Sequence, residues 1–303
     1  MSHWSILGSG VTALCAATVL HEHGETIELI EQPQIQAASH WAGGMLAPYC
    51  EGESAPEYIT QNSLTSIEWW QQHVPNVQQH GTLVVAPSRD QVELKRFASR
   101  TQAHRACQTI DIEPDLAHFR QALFFATEAH LNPRQALAYL KQRLIDSGVA
   151  IHTGQPSGNI IDCRGIHAKS ELSELRAVRG EMLILHNPHV DFKRPIRLLH
   201  PRFPCYLVPR GDGIYMLGAT MLETDDAGEI SARSMIELLN AAYTIHPSFA
   251  DAKVLETGVG LRPSYPDNIP QIYEQDGRFY LNGMYRHGFL FAPVLAQQLL
   301  QRI

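Results

Sequence analysis

The chain has 303 residues, 44% of them hydrophobic and 18% charged, and a formal net charge of −7. At roughly 150 residues per domain this length predicts two domains or one large one, with a sizeable core rather than a disordered chain. The acidic balance argues against a protein built to grip nucleic acid or an anionic membrane, since both need clustered cations, and no apolar run is long enough to span a bilayer. Cys15, Cys50, Cys107, Cys163 and Cys205 are far apart, odd in number and without C-x-x-C or zinc spacing, which predicts a reducing compartment and no metal site. The histidines are scattered, and His21 and His23, near a helix end, read as surface or capping groups. Residues 1–20 are apolar but lack a basic start and are interrupted by Gly8 and Gly10, so a secretory signal is not expected and the cytoplasm is the expected location.

In chain order, Ser5-Ile6-Leu7 begins a buried strand, followed at once by Gly8-Ser9-Gly10-Val11-Thr12-Ala13, a G-x-G-x-x-A turn. Gly8 permits the tight turn, Gly10 lets the backbone approach a pyrophosphate, and Ala13 keeps helix and strand close. Val11, Leu14, Cys15, Thr18 and Val19 recur at helical spacing, Gly24 is a helix stop, and Thr26–Ile30 reads as a second strand ending at Glu31. Glu31 lies about 20 residues beyond Gly10, where an acid meets the ribose hydroxyls of an adenine dinucleotide, while the helix N-terminus favours the pyrophosphate. A G-x-G turn alone is often purely structural. Strand, glycine turn, helix, strand and acid in this order predict dinucleotide binding, without separating FAD from NAD.

The loop 37–48 is built of small residues, including Ser39, Gly43, Gly44 and Met45, which suits close approach to a flat, bulky ligand better than a generic turn. Residues 63–74 read as a helix ended by Pro75, and 81–86 as a Val-rich strand. Asn132 and Pro133 form an N-cap and first-turn pair opening a helix to Asp146. Short strands are predicted near 149–152 and at 159–163. The segment 178–186 and a hairpin over 205–219 predict a mostly antiparallel sheet, and 230–243 an amphipathic helix. If the hairpin closes around 210–213, Tyr206 faces Leu217, with Ala219 and Met221 on its face. There is no internal repeat or low-complexity segment.

Read together, the G-x-G-x-x-A turn with Glu31, the AS-x-x-AGGML-A-P loop, Arg179-Gly180-Glu181, CYLVPR…GATM around Tyr206, GLRP around Arg262, and the final GMYRHG-x-L-x-AP resemble the FAD-dependent D-amino-acid oxidase family. Within it they are most similar to the glycine oxidase branch, which in many bacteria serves thiamine synthesis. The likeness covers nearly the whole chain and is more specific for the family than for the substrate.

The resemblance implies an α/β fold with a Rossmann-like FAD-binding domain, split in sequence over 1–78, 127–176 and 258–303. A mostly antiparallel substrate-binding domain over 79–126 and 177–257 completes it. It implies non-covalent FAD, because no cysteine follows Cys205. Gly8, Gly10, Ala13, Glu31, Ser39, Gly43, Gly44, Met45, Gly283, Arg286, Gly288 and Leu290 would contact it. The implied reaction is oxidative deamination of glycine or another small D- or N-methyl amino acid, by hydride transfer from Cα to flavin N5. O2 as acceptor would give an imine or 2-oxo acid, ammonia and H2O2. Such chemistry needs positioning rather than a catalytic acid or base. Arg262 would clamp the substrate carboxylate with its fork, joined by the Tyr206 hydroxyl, with Arg286 near the substrate and Met221 shaping a small cavity. His287 is given no role. The N-terminus of the last helix would stabilise negative charge on the reduced ring. Relatives have a longer stretch where only 153–158 joins two strands here, which leaves the adenine-side contacts open. Two other readings stand beside this one: a same-family dehydrogenase passing electrons to a quinone or carrier, and a flavin-binding protein without amine turnover. A tRNA-modifying relative is disfavoured by the charge of −7. Expected partners are a small amino acid and O2, with no nucleic acid and no membrane span. Oligomeric state is left open, a homo-oligomer among the options.

Overall fold

The computed structural model describes residues 3–32, 34 and 36–303. Its strands form two main sheets. The first has six strands in the order Gln271–Gln275, Arg278–Asn282, Asn159–Asp162, His3–Leu7, Thr26–Ile30 and Ala150–His152. All neighbours in it are parallel except the Gln271–Gln275 edge. His3–Leu7 sits between Asn159–Asp162 on one side and Thr26–Ile30 on the other, so the strand order reverses there. A parallel sheet opens its ligand crevice at the carboxyl ends of such a switch point.

The first helix, Val11–Glu22, was expected to bury one stripe. It is instead buried at every position from Val11 to Leu20, because the last helix, Gly288–Leu300, packs on the side away from the sheet. These elements share the main apolar core, with Ile6, Leu14, Leu29, Leu140, Phe291 and Leu295 almost wholly excluded from water. The helix Pro133–Asp146 begins as expected, the Asn132 side chain accepting from the Arg134 and Gln135 amides at 3.1 and 3.5 Å. The expected 63–74 helix is found as the shorter Ser66–His73, and a separate helix, Glu57–Asn62, precedes it.

The second sheet has eight strands: Lys253–Ser264, Arg176–His186, Ile214–Gly218, Cys205–Gly211, Ile196–Leu198, Thr82–Val85, Gln121–Phe125 and Arg105–Gln108. Only Ile196–Leu198 and Thr82–Val85 run parallel. Lys253–Ser264 runs straight through position 258 and stays paired with Arg176–His186 to its end. The helix Ala232–Ile245 covers one face, burying Leu238, Ala242 and Ile245.

The hairpin register differs from expectation by one residue. Tyr206 lies opposite Gly218, not Leu217, because a bulge between Pro209 and Gly211 absorbs a residue before the turn. Asp212 and Gly213, at φ of 52° and 69°, make the two-residue turn that a Asp-Gly pair favours.

Candidate functional site

The two sheets meet around a cavity of about 410 Å³. Its floor comes from the first sheet: Gly8, Ser9, Gly10 and Thr12 at the first turn, and Met284 to Leu290 after the last strand. Ala37 to Met45 form one wall, and Gly180, Met182, Tyr206, Ala219 and Arg262 come from the second sheet. The structure therefore brings together Gly8, Gly10, Ser39, Gly43, Gly44, Met45, Tyr206, Arg262, Arg286 and Gly288 with Leu290, which are hundreds of residues apart in sequence.

Several glycines are set by close approach. Gly8, at φ +116°, lies against the Cys163 carbonyl, where a Cβ would sit 2.9 Å from the oxygen. A Cβ on Gly10 would crowd Ser39 Oγ at 3.3 Å. The Ser39 hydroxyl accepts from the Val11 amide at 3.2 Å, at the start of the first helix. Among the described residues none accepts from the next two amides, Thr12 and Ala13, or from Phe289 and Leu290 at the start of the last helix. Two helix N-termini with free N–H groups thus end at one cavity, which favours an anion at each. This donor set and the glycine cradle fit a pyrophosphate and a ring that gains negative charge on reduction.

Other expected residues fall elsewhere. Ala13 is fully buried inside the helix packing. Gly283, at φ +82°, approaches the Tyr265 ring rather than the cavity, so its backbone freedom serves packing. Glu31 opens onto a second cavity of about 440 Å³, which shares Gln32, Gln34 and Arg164 with the first. There Glu31 pairs with Lys141 at 2.8 Å. The short 153–158 connection lines this second cavity through Thr153, Gly154, Gln155 and Pro156. Ser157 and Gly158 turn inward, their amides donating to Glu28 and Ser5 at 2.7 and 2.8 Å. Burial alone would raise the Glu28 carboxyl, but the bonds from Ser5, Ser157 and His152 hold it at about 2. Met221 is 47% exposed and outside the cavity lining, its sulfur 3.7 Å from the hydroxyl of Tyr285 and from Nη1 of Arg286, which do line it.

Arg262 and Arg286 differ in their partners. Arg262 has no carboxylate partner among the described residues, and its Nη1 donates to the Thr220 carbonyl at 3.0 Å. Burial pulls its pKa down, with the Arg286 charge adding to the effect and Tyr206 opposing it. Its guanidinium lies flat over Gly180, where any Cβ would fall far inside van der Waals contact with Nη1, Nη2 and Cζ. Arg286 donates to Glu51 Oε2 at 2.7 Å. Glu51 also meets Arg197 at 3.3 Å and His287 at 3.7 Å. Burial would raise the Glu51 carboxyl, but Arg286 and Arg197 hold it at about 2. His287 is 3% exposed with Nδ1 lacking a hydrogen-bond partner, and burial pushes it down to about 4, so it is neutral at neutral pH.

Sequence reasoning missed three supports of this site. Glu51 ends the short helix Pro48–Glu51 and carries no local signal. Arg210 is half-buried and donates to the Leu131, Ala42 and Gly43 carbonyls at 2.9, 3.2 and 2.9 Å, which pins the small-residue loop against the hairpin. Burial, and then Arg134, lower its pKa to about 9. Glu128 is wholly buried and accepts from the Cys50 amide at 2.7 Å, holding the helix that carries Glu51.

Burial pushes the Glu128 carboxyl from 4.5 up to about 8. The folded chain thus holds this proton more tightly than the unfolded one. The stability it contributes is complete below pH 4.5 and is lost as pH rises through about 8. Glu128→Gln keeps an acceptor for Cys50 and removes the titration. The wild-type Tm is expected to fall more steeply than that of the variant between pH 6 and pH 9, and parallel curves would contradict this assignment.

A parallel-sheet crevice with a glycine turn and two free helix N-termini, opening onto an antiparallel sheet that offers an unpaired arginine, defines a dinucleotide-dependent oxidoreductase. The chain belongs to the FAD dependent oxidoreductase (DAO) family, whose model matches residues 3–302. It is 47% identical to a putative thiamine biosynthesis oxidoreductase ThiO of Rhizobium etli, over 98% of this chain and 94% of that one. It is 27% identical to a glycine oxidase of Pseudomonas aeruginosa, over 95% of this chain and 91% of that one. Its fold matches the crystal structure of glycine oxidase from Geobacillus kaustophilus with a TM-score of 0.84 at 18% identity, covering 99% and 94% of the two chains. The protein is an FAD-dependent oxidoreductase of α/β fold, with a Rossmann-like cofactor layer and a mostly antiparallel second sheet. No helix among the described residues is long and apolar enough to cross a membrane.

Proposed function

We propose that this protein oxidises glycine or another small D- or N-methyl amino acid at its Cα–N bond, passing the electrons to O2 with release of H2O2. The observation that carries the reading is Arg262, a cation without a carboxylate partner among the described residues, aimed into the cavity that two helix N-termini also face. A half-buried guanidinium without a carboxylate is costly, and a substrate carboxylate relieves that cost bidentately. Tyr206 lies beside it in the same wall. The Pseudomonas aeruginosa glycine oxidase supports the glycine oxidase type, and the Rhizobium etli relative, by its name, supports a place in thiamine synthesis.

Bound FAD supplies the two-electron acceptor for the substrate Cα–H. Gly8, Gly10, Ser39, Gly43, Gly44, Met45, Arg286, Gly288 and Leu290 would hold it without a covalent link, and Glu31 would meet its ribose. Arg262 and Tyr206 orient the carboxylate, Met221 and Tyr285 narrow the entrance, and Arg286 and neutral His287 bound the far side. We take the cofactor part as 1–78, 127–176 and 258–303 and the substrate part as 79–126 and 177–257, with Gly258–Ser264 shared through sheet pairing. The lone thiols support the cytoplasm as the working location.

An oxygen electrode tests the acceptor. With FAD and sarcosine or glycine, O2 uptake is expected together with an equal amount of H2O2. Amine-dependent dye reduction without O2 uptake would replace the oxidase with a dehydrogenase.

A further inference from the structure

Three arginines line the cavity, Arg164, Arg262 and Arg286, and Asp162 pairs with the first of them. Arg286 is neutralised by Glu51 at 2.7 Å. Arg197, the second cation on Glu51, is also met by Glu53 at 3.5 Å. His287 is neutral, because burial holds its pKa near 4. Of the three, Arg262 has no carboxylate partner among the described residues. A ligand with one carboxylate balances this set. A ligand with two would bring its second carboxylate towards Arg286 and find Glu51 already bound there, so it would meet like charge instead of a free cation.

We propose that Glu51 is a specificity-determining residue that restricts the site to substrates with a single carboxylate by occupying Arg286. The inference rests on the reading of Arg262 as the carboxylate clamp. The solved iminodiacetate oxidase of Chelativorans sp. BNC1 shares the fold at a TM-score of 0.82 and 22% identity, so the scaffold itself does not decide the number of carboxylates. The local charge balance does. Glu51 is suited to the task because it lies in the cavity wall, with its side chain only 12% exposed. Its helix is fixed by the Glu128 bond to the Cys50 amide. Like charges placed together at short range in a cavity of restricted water repel one another strongly.

The test uses the FAD-loaded protein and two ligand pairs that differ by one carboxylate: acetate against malonate, and sarcosine against iminodiacetate. Dissociation constants for acetate and malonate are read from the perturbation of flavin absorbance, which requires no turnover. Wild-type protein is expected to bind malonate no tighter than acetate. Glu51→Gln should tighten malonate at least tenfold and leave acetate within threefold. It should also raise the iminodiacetate-to-sarcosine ratio of kcat/KM at least tenfold. Glu51→Asp, which keeps the charge, should retain the wild-type preference, and adding Arg286→Met to Glu51→Gln should abolish the gain.

Wild-type protein that binds malonate more than tenfold tighter than acetate would overturn the proposal whatever the variants do. So would a Glu51→Gln variant in which acetate and malonate shift together or not at all. Failure of the oxidase reading appears separately, as wild-type protein that binds acetate but is reduced by no amine.

Discussion

Arg262→Ala is expected to lower kcat/KM for a small amino acid by about 100-fold, nearly all of it through KM, with bound FAD retained. The size follows from losing a charge-assisted, two-pronged bond to a desolvated carboxylate, a change of about 2–5 kcal/mol when one partner is truncated. The structure supports a selective effect. Arg262 donates to the Thr220 carbonyl at 3.0 Å and pairs with no acid among the described residues, so its removal breaks no ion pair. Arg262→Lys should fall between the two, keeping the charge and losing the fork. Steady-state kinetics with flavin absorbance as the control for retention would check this, and an unchanged KM would remove Arg262 as the clamp.

The second large effect is expected at a residue that touches no substrate. Gly180 lies under the Arg262 guanidinium, and the diagonal neighbour relation across Arg176–His186 and Lys253–Ser264 places them on one face. A methyl group at 180 meets the far end of a flexible side chain, which can swing away without disturbing the sheet. Gly180→Ala is therefore expected to fold and load FAD normally while moving the guanidinium by about 1 Å or more. A displacement of that size costs about 100-fold in rate where orientation matters. The KM for amino acid should rise, and the Tm should change little. A variant with wild-type KM would show that the guanidinium does not act from the position seen here.

These residues show how far the sequence reaches. The glycine turn, its helix and the acid at Glu31 were legible because a short local pattern carries each requirement: Gly8 must adopt positive φ and Gly10 must stay bare against Ser39. The last helix, implied by the final motif, begins at Gly288. The hairpin at Tyr206 was legible as a hairpin but not in register, since the bulge at Pro209 and Gly211 depends on the neighbouring strands. Gly283 was assigned to the cofactor on the strength of its motif, whereas the ring it approaches belongs to Tyr265, and that neighbour is set by tertiary packing. Gly180 was visible within Arg179-Gly180-Glu181, but its reason lies in a side chain from another strand. Glu51 was invisible. Its partner Arg286 is 235 residues away, and no period or spacing links them.

Charge placement follows the same division. Arg262 and Arg286 look alike in sequence, each a lone arginine in a short glycine-containing motif. Only the fold separates an arginine paired at 2.7 Å from one left for a ligand. The site is thus assembled from locally encoded turns and helix ends, while its electrostatic selectivity arises where distant segments meet.

The central claim is that this cavity holds FAD and delivers a small amino acid to it. The most direct test is an anaerobic titration of the purified, FAD-loaded protein with glycine, sarcosine and D-alanine, followed by flavin absorbance. The account predicts bleaching by at least one of these amines and recovery of the oxidised spectrum on admitting air. Flavin that stays oxidised with every small amine, in protein shown to bind acetate, would contradict it.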